Sequence, residues 1–196
     1  MKAVLTVATL AVLLAACAPS ASPTPQAVEE IAQLLTPTVP EGAVFFDGCS
    51  YMVSHPPALV TSDGMLFQPS DEQEASVLVL ARRRTDAEQD LSLDALATQI
   101  GMKWGAQSGQ PPFEPVAVTD YLGNTLNGLQ ADFEGNEGLR TRLMVVVRPQ
   151  TLLGDLLPDD VVYEVVAQAP GPIWSEWAPL FEVMFQTFHP KDCGGV

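Results

Sequence analysis

The chain has 196 residues, 24 acidic against 9 basic, and a formal net charge of −15 at pH 7. That balance excludes nucleic-acid backbones as direct partners and disfavours anionic lipid, because like charges repel across a surface whose field is already negative. With 47% hydrophobic residues the chain can build one packed core, and its length falls short of two.

Residues 1–16 read as an export signal. Lys2 and the amino terminus supply positive charge, and Ala3 to Ala16 form an apolar run shorter than the roughly 20 residues of a membrane-spanning helix. The run closes on Leu14-Ala15-Ala16-Cys17, which resembles the lipobox of bacterial lipoproteins. The resemblance implies cleavage before Cys17 and acylation of that cysteine, with two or more chains that anchor firmly where a single chain holds only marginally. The rival reading is an ordinary secretory signal that ends beside a chance cysteine. Residues 18–26, "APSASPTPQ", are a Pro/Ser/Thr-rich tether without the apolar content to fold.

Val28, Ile31, Leu34 and Leu35 recur at helical spacing before Pro37 and Pro40, so a short helix is expected there. The parts are thus a signal peptide over 1–16, an anchored N-terminus with tether and helix over 17–40, a globular domain over 41–193 and a tail over 194–196.

Within the domain, "AVFFD" and "SYMVSH" alternate as strands about Gly48, and "MLFQ" and "ASVLVLARRR" are two more. In the last, Val77 and Val79 face one way and Leu78 and Leu80 the other, the mark of a strand covered on both faces. Arg82-Arg83-Arg84 reads as a solvated strand exit, or less readily as an anion contact. "SLDALATQIGMKW" is the clearest helix: Ser92 caps it, Asp94 suits its positive end, and Leu93, Leu96, Ala97, Ile100 and Trp104 form one stripe.

Next come "EPVAVTDYL", "NGLQADFEG", "GLRTRLMVVVR" and "DVVYEVVAQ", consecutive antiparallel strands, with Gly135 to Gly138 as a hairpin loop. Leu129, Ala131 and Phe133 share one face, and Gln130, Asp132 and Glu134 the other. The chain closes with "IWSEWAPLFEVMFQTF", where Trp174, Trp177, Phe181, Met184, Phe185 and Phe188 make a broad apolar face and Pro179 is expected to kink the helix or split it in two.

Cys49 and Cys193 remain. In an exported protein such a pair is most simply a disulfide, stabilising by up to about 4–5 kcal/mol through closure of a long loop. The alternative, a metal site, needs nearby histidine, and the chain has only His55 and His189.

The order of strands, a helix beginning "SLDAL", the meander through "LRTRLMVVVR" and "VVYEVVAQAP", and a terminal helix ending "FEVMFQTF" resembles the PsbP-like fold over roughly residues 43–190. The resemblance implies an α+β sandwich, an antiparallel β-sheet flanked by helices. It also implies a non-enzymatic role in the assembly or binding of membrane-associated partners. No functional residue carries over from it.

Nothing in the sequence assembles a catalytic constellation, and no G-x-S-x-G occurs. His55 reads as a strand-end residue and His189 as a favourable charge near a helix C-terminus. Asp86, Glu88, Asp90 and Asp94 have the alternation of a calcium loop but lack its glycine and final glutamate, with Leu91 and Ala97 standing there; a solvated loop is expected. "GNEGLR" lies between strands and opens no helix, so it is no phosphate cradle. No cofactor, metal or catalytic residue is expected. The expected protein is a lipoprotein on the extracytoplasmic face of a bacterial membrane, acting as a binding or assembly module for an envelope protein. The alternatives are an envelope hydrolase, or a ligand carrier with a cavity between sheet and helix.

Overall fold

The computed structural model describes residues 41–70, 74–107, 112–149 and 160–191. The chain divides into two compact units, Met1–Thr36 and Pro37–Val196, and every described residue lies in the second. The signal, Cys17, the tether, the helix expected over residues 26–35 and Cys193 fall outside the described residues.

Among the described residues, ten strands form two antiparallel sheets. β1 (Val44–Asp47), β2 (Tyr51–His55) and β10 (His189–Pro190) make the smaller, in the order β1-β2-β10. The larger contains β3 (Leu59–Val60), β4 (Leu66–Pro69), β5 (Ser76–Arg83), β6 (Glu114–Thr119), β7 (Thr125–Glu134), β8 (Leu139–Arg148) and β9 (Val161–Pro170). Its order is β3-β4-β5-β9-β8-β7-β6. The consecutive pairing expected for the meander is present, with Leu129 opposite Val145 and Leu143 opposite Val166. The class is α+β. Both short strands, β3 and β10, lie below the length at which alternation is legible, and the division into two sheets is likewise invisible in the pattern.

β9 sits at the centre because its run of Val, Tyr and Ala is apolar on both faces, which only a doubly covered strand can afford. One face carries α1 (Leu93–Lys103), begun by Ser92, whose Oγ accepts from Ala95 N at 3.2 Å. Its buried Leu96, Ala97 and Ile100 pack on Leu129, Leu143, Val145, Val162 and Val166. The opposite face carries α2 (Trp174–Gln186) together with β2. There Trp177, Phe181 and Met184 meet Val53, Val79, Tyr163 and Val165.

α2 runs unbroken through Pro179, so the expected division into two helices does not occur. Proline removes the N–H that Ser175 O would accept and crowds that carbonyl. Both Pro179 and Ser175 are exposed, so the proline lies on the solvent side of the helix, while Trp177 and Phe181 hold the buried side in place.

The end of α2 is tied to the small sheet. Thr187 Oγ1 accepts from Ser54 N at 2.9 Å and lies 2.7 Å from Val183 O. β10 then runs beside β2, with His189 opposite Met52, and Lys191 N donates to Ser50 O at 2.7 Å.

Candidate binding surfaces

Of the charged residues that stood as solvated in the sequence, Arg83, Asp86, Asp90 and Asp94 are exposed, whereas Arg82, Arg84 and Glu88 are drawn into ion pairs. Glu164, fully buried, projects from the middle of β9 on the α1 face. Arg82 Nε donates to its Oε1 at 3.0 Å, while Trp104 Nε1 and Lys103 Nζ donate to Oε2 at 3.2 and 3.4 Å. Arg82 also makes a two-pronged bond to Glu88, at 2.7 and 2.8 Å. Arg82 is therefore no solvated strand exit, because its guanidinium is shared between two buried carboxylates. Arg84 pairs with Asp160 at 3.1 Å and donates to the carbonyls of Glu88 and Leu91. Arg83 alone of the three is exposed.

The acidic run is likewise organised. Asp86–Glu88 form a 3-10 turn in which Glu88 Oε2 accepts from Thr85 N at 2.9 Å and from Thr85 Oγ1 at 2.8 Å. The Arg82 guanidinium, helped by the Thr85 bonds, draws the Glu88 carboxyl down to about 2. With its lone pairs taken by the protein, Glu88 has nothing to offer an ion. No group of three or more His, Cys, Asp or Glu able to hold a metal occurs among the described residues.

Each histidine gives its bond to a backbone carbonyl. His55, buried against the Phe67 ring, has Nδ1 3.0 Å from Pro56 O, and His189 Nδ1 lies 2.8 Å from Thr119 O. A carbonyl only accepts, so both protons sit on Nδ1. Neither ring has a carboxylate partner among the described residues. His189 belongs to β10 and bridges to β6, a strand role rather than the helix-terminal one expected of it.

Two features were missed at the sequence level. Asp120 closes the β6–β7 turn, accepting from Leu122 N, Asn124 N and Asn124 Nδ2 at 2.8 to 3.0 Å and from Arg148 Nε at 3.4 Å. Burial pushes its carboxyl up, but those bonds prevail and it lies below the usual carboxylate range. The signal was the Asp-x-x-Gly-Asn run, a standard site for a carboxylate that bonds the backbone ahead of it. The second is Arg142, which forks onto Asp132 at 2.7 and 2.8 Å, pairs with Glu182, and lies 5.9 Å from the Phe185 ring centroid.

The surface opens into shallow grooves. One of about 340 Å³ runs between β6, β7 and β8, lined by Glu114, Val116, Gln130, Asp132 and Arg142. Another of about 330 Å³ lies at the start of α1, among Arg84, Leu93, Asn127 and Val147. Arg142 is neutralised by two carboxylates, so the first groove presents Glu114 and Gln130 as its unspent polar groups. It suits a basic or hydrogen-bonding side chain. No helix among the described residues is long and apolar enough to cross a membrane.

The sequence matches no known protein family and no curated protein. Among solved structures the chain is similar to the crystal structure of LpqN, involved in cell envelope biogenesis of Mycobacterium tuberculosis. The two share 14% identity and a TM-score of 0.43, over 79% of this chain and 81% of that one. It is also similar to the solution structure of cyanobacterial PsbP (CyanoP) from Synechocystis sp. PCC 6803, at 16% identity and a TM-score of 0.43. There the likeness covers 80% of this chain and 97% of that one.

Proposed function

We propose that the chain is a bacterial envelope lipoprotein, acylated at Cys17 and exposed on the extracytoplasmic face, whose PsbP-like domain is a non-enzymatic binding or assembly module. The observation that carries this reading is Leu14-Ala15-Ala16-Cys17, set between an apolar run and a Pro/Ser/Thr-rich tether. Two acyl chains on one cysteine hold a water-soluble domain at a bilayer without a spanning helix. The binding role draws support from open grooves with polar linings. A net charge of −15 attracts a partner with a basic face and raises its encounter rate. A protein of the same envelope with such a face is the partner we favour, docking a Lys or Arg side chain beside Glu114 and Gln130.

Cys49 and Cys193 form a disulfide in this reading. Support comes from Lys191, which bonds Ser50 O and pairs with Asp47 at 2.6 Å, so the backbone two residues before Cys193 already lies beside Cys49.

The experiment is fractionation of the native host after Cys17→Ser. The wild-type chain should sediment with membranes and the variant should move to the soluble exported fraction. Unchanged partitioning would remove the anchor. Peptide mapping of the same wild-type material without reductant should yield the Cys49–Cys193 peptide, and two free thiols would remove the disulfide.

A further inference from the structure

Side chains of β7 alternate between the two faces of the sheet. Gln130, Asp132 and Glu134 share the face that carries α2, since Arg142, which grips Asp132, also pairs with Glu182 of that helix. The register carries this row across three strands: Glu114 of β6 stands opposite Gln130, Arg142 of β8 opposite Asp132, and Arg140 opposite Glu134. All six side chains therefore belong to one surface. Glu114, Asp132, Glu134 and Arg140 are exposed, so α2 borders this part of the sheet without covering it.

Two hollows open along the row, with Asp132 lining both. The first, of about 340 Å³, is the groove beside Glu114, Val116 and Gln130, and the second, of about 150 Å³, lies among Glu134, Arg140 and Trp174. Their chemistry differs. In the first, Arg142 is taken by Asp132 and Glu182, while Glu114 has no ion-pair partner among the described residues and stands beside the Gln130 amide. In the second, Glu134 and Arg140 face each other across the strands and offset one another's charge. What remains there is the half-buried indole of Trp174, held by Phe181 at a centroid distance of 5.7 Å. One hollow thus suits a cation and the other an aromatic ring.

Strand geometry sets their spacing. Gln130 and Glu134 are four residues apart on β7, about 13 Å at the rise of a strand. An extended segment laid along β7 advances at the same rate, so two of its side chains with three residues between them reach both hollows. The middle one of the three lies over the closed Asp132–Arg142 fork, where a further charge would lose water and find its counter-charge already taken. Around the row four carboxylates, of Glu114, Asp132, Glu134 and Glu182, stand against the two guanidinium groups of Arg140 and Arg142. The whole chain carries −15, so the field over the row favours a segment with net positive charge.

We infer that this row binds an extended segment of a protein partner in which a Lys or Arg stands four positions from an aromatic residue, with an uncharged residue midway between them. The inference rests on the binding-module reading above and identifies what the module takes. It is independent of acylation at Cys17.

Calorimetric titration of the full chain at low salt, with two end-blocked peptides, tests it. Thr-Lys-Thr-Ser-Thr-Tyr-Thr has the required spacing. In Thr-Lys-Thr-Ser-Tyr-Thr-Thr the tyrosine is one residue nearer, and strand alternation turns it away from the sheet. The first peptide should bind several-fold more tightly than the second. Glu114→Gln, a change at an exposed side chain, should weaken the first several-fold and remove its advantage over the same peptide with Ala in place of Lys. The loss caused by Ala in place of Tyr should be the same in Glu114→Gln as in the unaltered chain. Equal affinity for the two spacings overturns the inference; if Glu114→Gln then weakens both alike, the basic-partner reading survives without it. Failure of both peptides to bind at millimolar concentration removes the inference together with the basic side chain placed beside Glu114.

Discussion

The two faces of the seven-stranded sheet are covered by different chemistry. Under α2 the contact is aromatic: Trp177, Phe181, Phe188 and Tyr163 pack with ring centroids 5.7 to 6.0 Å apart. Under α1 the apolar contact of Leu96, Ala97 and Ile100 is bordered by a buried carboxylate, Glu164, and the cations and indole that satisfy it. Burial of ring surface stabilises without regard to direction, and at pH values where no ring titrates. A buried carboxylate gives little net stability but accepts only one arrangement of donors. The α2 face therefore supplies most of the cohesion, and the α1 face fixes the seat of the helix.

The sharpest way to break this division is Phe181→Ala. Phe181 is fully buried, stacks on Trp177 at 6.0 Å and meets Trp174 at 5.7 Å. Its loss leaves a cavity that costs about 3–5 kcal/mol, and the urea midpoint should fall accordingly at every pH. A small loss would place the main core elsewhere. On the other face, Glu88→Gln removes the charge that Arg82 grips and should cost about 2 kcal/mol at pH 7. Because the native carboxyl is held at about 2, against an ordinary value near 4.5, its contribution is fully present above pH 5 and is lost as pH falls toward 2. Acid titration of stability should therefore show a steep arm between pH 5 and 2 that flattens in Glu88→Gln and persists in Phe181→Ala. Equal arms in wild type and Glu88→Gln would assign the acid sensitivity to another group.

The sequence was read correctly where one residue type repeats at one period. Both long helices, the strands of the meander and the hairpin at Gly135–Gly138 follow from apolar spacing and turn chemistry, because burial on one face demands them. It was misread where the outcome depends on distant partners. Arg82 looks like a solvated strand exit because Glu164, one of the two carboxylates its guanidinium joins, is 82 residues away. One local sign of that network existed: a glutamate inside "VVYEVVAQ", in a strand otherwise apolar on both faces, must be buried and so must have donors. At Pro179 the split into two helices, one of the two outcomes expected there, does not occur, since the apolar stripe on the far side continues through it.

The contrast is sharpened most finely at Tyr51. The carboxylate under α1 is fully served, yet on the aromatic side the Tyr51 hydroxyl is buried with no hydrogen-bond partner among the described residues. Its ring is well placed, 5.5 Å from Phe46 and 5.6 Å from Phe188, so the ring is what the site uses. Burial, with a smaller push from Asp63, raises the phenol well above its ordinary value, and the group stays neutral throughout the working range. An unserved buried hydroxyl pays for desolvation and gains nothing, so Tyr51→Phe should leave stability unchanged or raise it by up to about 1 kcal/mol. It should do so equally at pH 3 and pH 7, since no titrating group is touched. A loss above about 1 kcal/mol in denaturant melts would mean that the hydroxyl has a partner, and that the α2 face relies on polar contacts as the α1 face does.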